Sequence, residues 1–427
     1  MGIDTALAKY IGCMVVRVTA DWFRDAKFGI MIHWGLYSIP AWAPLDDAVV
    51  RVLSQGGHSP DGDPESDPLF RNCYAEWYQN SYLLTGSPTW HHHKEVYGDR
   101  PYEDFAGDFR AAVEGWDAAG WADLFAAAGA RYVVPVTKHH DGFALWPSRT
   151  PNPYRDGWST ERDVVGELGA AVRAQGMRYG LYYSGGLDWT FGNVPIHRQI
   201  DVEFSIPNTP EYARYVNAHW RELIDRYEPS MLWNDIGYPA GGDPERLFAE
   251  YYARVPDGVV NDRFMSEHSD IRSPEYEIRP DIDPHVWETV RGLGLSFGWN
   301  RQETAAQLLS ATELVHLLVD VVSKNGNLLL GVAPDDRGEI PAGQADVLRE
   351  VGRWLAANGE AIYGTRPWTT AEATTADGLP VRFTRRGDTR YAIVLGAAEQ
   401  LHGVPGIDPE DARRLGDGEG PATAFVL

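Results

Sequence analysis

Five short apolar runs each finish on side chains that can bind, transfer a proton or attack. The first ends in Ile32-His33-Trp34-Gly35, and the second runs into Thr137-Lys138-His139-His140-Asp141-Gly142-Phe143. The third carries Tyr182-Tyr183-Ser184-Gly185-Gly186, the fourth stops at Trp233-Asn234-Asp235, and the fifth at Asn261-Asp262-Arg263. Imidazoles, carboxylates, a phenol and a guanidinium among large aromatics combine proton transfer with flat apolar faces suited to a sugar ring. Singly, each has a structural reading: His33 as a hydrogen-bonded core residue, Asp235 as a helix cap, Tyr182 and Trp77 as packing. His139 and His140 are adjacent, and successive strand residues point opposite ways, so the pair cannot chelate one metal without a bend. His91-His92-His93 reads as an exposed helix start rather than a metal site.

Convergence of these groups needs a scaffold that gathers strand ends. Short β-rich runs at 28–33, 132–137, 178–184, 231–235, 259–263, 276–279, 293–297 and 327–333 alternate with segments of helical period at 116–128, 163–175, 210–227, 244–255 and 303–323. That alternation predicts an α/β fold, a (β/α)8-like barrel, in which catalytic groups meet on the face where the strands end. The stretches 264–275 and 280–292 are rich in Pro, Asp and Ser and show no clear helix, so the later units are expected to be irregular. Gly56-Gly57 and the Pro/Asp/Ser-rich run 59–68 predict that most of 43–93 is surface loop. After a helix near 347–358 the pattern changes to alternating segments at 369–375, 381–384 and 390–395. The catalytic barrel is therefore placed at 1–360 and a small, reduced β-sandwich domain at 361–427.

Composition narrows the function classes. The 427 residues carry 38 Lys and Arg against 61 Asp and Glu, a formal charge of −23, which argues against a domain-wide basic footprint for nucleic acid. A chain with 44% hydrophobic and 23% charged residues is not wholly disordered. The 16 Trp and 21 Tyr suit either a large core or carbohydrate stacking, and they permit a homo-oligomer without arguing for one. Cys13 and Cys73 can form at most one bridge, and free buried thiols are expected. No apolar run approaches the roughly 20 residues of a membrane span, and the short apolar stretch 11–16 falls below signal-peptide length, so a cytoplasmic protein without a membrane anchor is expected.

The combination says more than its members. His33-Trp34-Gly35, Glu76-Trp77-Tyr78, Lys138-His139-His140-Asp141-Gly142-Phe143, Tyr182-Tyr183-Ser184-Gly185-Gly186-Leu187-Asp188-Trp189, Leu232-Trp233-Asn234-Asp235 and Leu328-Leu329-Leu330-Gly331-Val332-Ala333-Pro334 occur in this order. Together they resemble the α-L-fucosidases of glycoside hydrolase family 29, over some four fifths of the chain from about Trp22 to Trp368. The resemblance implies a (β/α)8-like catalytic domain followed by a β-sandwich, and cleavage of terminal α-linked L-fucose from glycans with retention of configuration. It implies no metal or organic cofactor. The region after residue 360 is shorter than the family's usual β domain.

Retaining cleavage needs an ionised carboxylate to attack the anomeric carbon and a protonated carboxyl to release the leaving oxygen, about 5 Å apart. By the resemblance Asp235 is the nucleophile, with Arg263 as the cation that favours its ionised form. The family's acid/base lies on a variable loop. Glu267, Glu275 and Glu288 stand in that stretch, with Asp262 nearer the strand, and Glu275, in Ser273-Pro274-Glu275-Tyr276-Glu277, is preferred over Glu288, which could instead support the loop or the substrate. The resemblance also implies that His33, Glu76, Trp77, His139, His140, Tyr182 and Arg263 line the sugar pocket, and that Phe297 meets the C6 methyl. A 6-deoxy sugar presents three hydroxyls and one methyl, so convergent polar groups with one hydrophobic wall suit it.

Three other readings use the same residues. The fold acting on a related sugar would make an α-L-galactosidase. A fucose-binding protein without catalysis would not need two carboxylates. A metal-dependent hydrolase would employ His33, His139, His140 and Asp235 as ligands.

Overall fold

The computed structural model describes residues 17–54, 67–192, 194–416 and 420–427. Cys13 and most of the run 59–68 lie outside them. Seven parallel strands form one curled sheet: β1 (Phe28–Ile32), β2 (Tyr132–Lys138), β3 (Arg178–Ser184), β4 (Met231–Asp235), β5 (Val259–Val260), β6 (Trp287–Gly292) and β7 (Gly326–Val332). Their order is β5-β4-β3-β2-β1-β7-β6. Strands such as β1, FGIMI, are apolar throughout and buried at every position, because one face meets the barrel interior and the other the surrounding helices.

The edges β5 and β6 do not pair directly. Between them Ile271 bridges Asn261 just beyond β5, and Arg272 and Glu275 bridge Trp287 and Val290 of β6. The architecture is the expected (β/α)8-like barrel, with an irregular segment where an eighth strand would stand. Two expected strands need correction. The segment 276–279 is not a strand, and its neighbour Glu275 makes only an isolated bridge; 293–297 is the turn that follows β6. The sixth strand lies at 287–292, within a stretch expected to be irregular. Its run Trp-Glu-Thr-Val-Arg-Gly hides two charged residues among apolar ones, and burial of Glu288 inside the barrel is what tertiary pairing decides.

Helices between the strands follow the sequence signals closely. The helix Pro210–Tyr227 has Thr209 accepting from the Tyr212 amide, Pro210 at its first position and a left-handed Glu228 at its end. The helix Ala311–Ser323 is shorter than the helical period suggested and begins at a Ser310/Glu313 capping box. The segment 67–93 is not surface loop. It contains helices Tyr78–Leu83 and Pro88–Val96, and it buries Glu76, Tyr78, Asn80 and His93. The histidine triplet falls in the middle of the second of these helices rather than at an exposed start. His93 bonds the Tyr78 hydroxyl at 2.9 Å and the Arg100 carbonyl at 2.8 Å.

Beyond the barrel, β8 (Arg366–Thr374), β9 (Pro380–Arg386), β10 (Thr389–Val394), β11 (Arg413–Arg414) and β12 (Thr423–Val426) make a separate antiparallel sheet in the order β11-β12-β10-β9-β8. It has its own small core around Val381, Phe383, Val394 and Phe425. Ion pairs from Arg382 to Asp320 (2.5 Å) and from Lys324 to Glu372 (2.7 Å) fasten it to the helix Ala311–Ser323. Cys73 is a buried free thiol. Among the described residues no helix is long and apolar enough to cross a membrane.

Candidate active site

Register builds the site. In the β3–β4 pair Tyr182 lies beside Trp233 and Ser184 beside Asp235. The two rings stack at 5.3 Å, and the Arg263 guanidinium lies 4.8 Å above Trp233. One indole thus orients both side-chain donors that reach Asp235: Tyr182 donates to Oδ2 at 2.7 Å, and Arg263 Nη1 to Oδ1 at 3.0 Å. The Ile236 amide adds a bond to Oδ1 at 3.1 Å. Gly186 permits the close approach of β3 and β4 here, since a Cβ at that position would stand 1.7 Å from the Ile236 carbonyl oxygen.

Burial by itself would raise the Asp235 carboxyl. The charge of Arg263 and the bond from Tyr182 overcome it and hold Asp235 below the ordinary carboxylate range. Arg263 is fixed by its Nε bond to the Ser273 carbonyl at 2.9 Å. Its other contacts are Glu275 Oε2, at 3.2 Å from both Nη1 and Nη2. Tyr74 donates to Glu275 Oε1 at 3.0 Å. For Glu275 burial is the largest influence and raises the carboxyl, the Asp235 charge acts in the same direction, and the Arg263 and Tyr74 donors offset only part. Two oxygens bound to one nitrogen at these distances are at most about 6 Å apart, an upper limit that admits the roughly 5 Å separation of a nucleophile and proton donor and falls below the wider spacing needed to seat a water between them.

An irregularity between Val136 and Lys138 re-aims the end of β2. His139 and His140 consequently both line the cavity, their rings 3.9 Å apart, and this is the bend that the strand alternation alone would not supply. Burial lowers His140 to about 4 and His33 to about 3, so both imidazoles are neutral near pH 7. The Ser184 hydroxyl donates to the Leu187 carbonyl at 2.7 Å, so it accepts from His140 Nδ1 at 2.6 Å. That leaves Nε2 of His140 as an acceptor. His33 Nδ1 and His139 Nδ1 are buried without a hydrogen-bond partner among the described residues.

Glu76 Oε2 accepts from the Gly298 amide at 2.7 Å and from Ser296 Oγ at 3.1 Å, while burial pushes its carboxyl up to about 7. Trp77 stands edge-on to His140 at 5.1 Å. Phe297 packs 5.2 Å from His33 and 5.5 Å from Tyr74, an apolar wall beside these polar groups. All ten candidate residues line a single cavity of about 840 Å³. Glu288 does not. It is sealed beneath the floor, accepting from the Tyr132 hydroxyl and from Trp233 Nε1 at 3.1 Å.

Tyr74 escaped the reading of the sequence. It stands two residues before Glu76, but a 3-10 turn, Ala75–Trp77, begins between them and its partner is 201 positions away, so no local spacing points to it. The loop 199–205, which borders the same cavity, carries no local signal of function. Among the described residues no cluster of three or more His, Cys, Asp and Glu is arranged to hold a metal ion.

A family model described as Alpha-L-fucosidase matches residues 13–360. An alpha-L-fucosidase of Dictyostelium discoideum is 33% identical over 384 residues, covering 84% of this chain and 74% of the relative. The tissue alpha-L-fucosidase of Homo sapiens is 31% identical over 397 residues, covering 89% of this chain and 76% of its own. The crystal structure of a Thermotoga maritima alpha-fucosidase in complex with fucose superposes with a TM-score of 0.82 at 41% identity, covering 99% of this chain and 94% of that one.

Proposed function

This chain belongs to the alpha-L-fucosidase family of glycoside hydrolases, and from that premise we propose that it removes terminal α-linked L-fucose from glycans with retention of configuration. The observation that carries this reading is the arrangement of two carboxyls, buried Asp235 and partly buried Glu275, around one guanidinium nitrogen. Asp235 is the nucleophile. Its donors keep it ionised, and its carboxylate forms a bond to C1 as the bond from C1 to the leaving oxygen breaks. Glu275, held nearer its protonated form by burial and by the Asp235 charge, gives its proton to that oxygen. Esterification removes the Asp235 charge, so the carboxylate that Glu275 became on giving up its proton is no longer repelled by a neighbouring anion, and it takes a proton from the incoming water. Attack of that water at C1 releases fucose and restores Asp235.

Neutral His33, His139 and His140, with Glu76 and Trp77, supply acceptors, donors and a stacking face for three hydroxyls. Phe297 faces the methyl. Proton NMR of early hydrolysis tests the reading. α-L-Fucose as the first-formed anomer supports it, whereas the β anomer first would mean inversion and a different use of the two acids.

A further inference from the structure

The cavity is wider than its polar floor. At its mouth stand Ile200, Phe204 and Met265, which are 36%, 83% and 58% exposed, three large apolar side chains offered to solvent around one opening. Exposed apolar surface gathered at the rim of a cavity marks a binding surface, whereas single exposed side chains carry no such meaning. The chain here is built to hold them. Two 3-10 turns, Gln199–Asp201 and Glu203–Ser205, raise Phe204 to the apex of its loop. The loop is anchored by the Gln199 amide on Asp67 Oδ1 (3.2 Å) and the Arg198–Asp201 ion pair (2.9 Å), while Val202 packs against the barrel core.

Met265 is turned into position by a left-handed backbone (φ 53°) two residues after Arg263. Its sulfur and Ile206 flank Gly237, where an added Cβ would lie 3.1 and 3.0 Å from them, two residues beyond Asp235. Met265 thus stands on the segment that runs from Arg263 toward Glu275, beside the turn that follows Asp235, while Ile200 and Phe204 stand on the loop between β3 and the helix Pro210–Tyr227. A substrate whose fucose is seated among the histidines must pass its leaving group out through this mouth.

We infer that Ile200, Phe204 and Met265 form a leaving-group subsite that selects aglycones with a flat apolar face, either an aryl ring or the apolar face of a pyranose. This rests on the proposed hydrolysis of α-L-fucosides and adds its acceptor side. Met and aromatic side chains are suited to it: a Met adapts its shape, and an aromatic ring gives area with little conformational loss. Glu203, Glu277 and Asp262 line the same cavity together with Arg272 and Arg279, the last paired with Glu277, so the apolar side chains rather than net charge distinguish this mouth.

Comparison of Phe204→Ala and Met265→Ala with the unmodified protein tests this on three substrates: an aryl α-L-fucoside, a fucosyl disaccharide and α-L-fucosyl fluoride, which has no aglycone to stack. The subsite predicts that kcat/KM on the first two falls roughly fivefold relative to the change on the fluoride, with the loss in KM. A loss on the aryl substrate alone identifies aromatic aglycones as the ligand, and a loss on the disaccharide alone identifies the pyranose face. Equal change on all three overturns the inference and leaves the fucosidase reading intact. Failure of the unmodified protein on all three would instead overturn that reading. Phe204 is largely exposed, so the variants test binding rather than folding; a change of mass by light scattering with equal substrate effects would reassign the rim to self-association.

Discussion

Asp235 and Glu275 share one nitrogen: Nη1 of Arg263 donates to Oδ1 of the first at 3.0 Å and to Oε2 of the second at 3.2 Å. The same cation acts on both acids, yet they diverge. Asp235 has three donors and falls below its ordinary range; Glu275 is dominated by burial and by the neighbouring negative charge and rises. Paired acids pushed apart in this way can divide the roles of nucleophile and proton donor.

Removal of the attacking group should stop turnover. Asp235→Ala is expected to hydrolyse an aryl α-L-fucoside at less than roughly a hundredth of the normal kcat/KM. Initial-rate measurements decide it, and retention of a larger fraction would remove Asp235 from the nucleophile role.

The loss in Glu275→Ala should depend on the leaving group. A phenol with a low pKa departs with little help, so activated aryl fucosides should be affected least, and azide should restore rate with formation of a β-fucosyl azide. An equal loss across leaving groups, without rescue, would point to another acid.

Tyr74 tunes that acid through its hydroxyl. Its bond favours the ionised form of Glu275, so Tyr74→Phe should raise the Glu275 pKa and carry the descending, alkaline limb of the kcat/KM profile to higher pH. The ascending limb, governed by Asp235, should stay in place. A change in kcat at unaltered limb positions would show a merely structural contribution.

Specificity for a methyl over a hydroxymethyl group should reside in Phe297. A hydrophobic wall rejects an added hydroxyl by about a hundredfold, and Phe297→Ala should reduce that preference to roughly tenfold between aryl α-L-fucoside and α-L-galactoside. Side-by-side kcat/KM values check it; an unchanged ratio would place the discrimination elsewhere.

Buried Glu288 should make stability fall as pH rises. Burial lifts its folded pKa to about 7, above the ordinary 4.5, so between these values the folded chain holds a proton that the unfolded chain has lost. Its contribution is therefore complete at low pH and is lost as pH rises through about 7. Glu288→Gln should shrink the difference between urea midpoints measured at pH 5 and pH 7.5, with little effect on the site geometry above it. An undiminished difference would assign the dependence to Glu76 or Glu303, whose carboxyls burial also raises to about 7.

The amino-acid order by itself determined much of this protein. Apolar runs ending in His33, His139, Tyr182 and Asp235 already named the site's floor, because consecutive parallel strands deliver their ends to one face wherever the intervening helices pack. The helix Pro210–Tyr227 was legible from its apolar period. Tertiary structure alone decided the rest. Strand β6 was hidden because its ionisable Glu288 is tolerated there only when Tyr132 and Trp233 are folded against it. The ring closes through isolated bridges that have no periodicity to detect, and those bridges set Glu275 beside Arg263. Tyr74 and Phe204 gain their meaning from partners and a cavity assembled over separations of many tens of residues, which local pattern does not encode. Local propensities specify segments; only closure of the barrel makes distant side chains neighbours, and the protonation of Asp235 and Glu275 follows from that proximity.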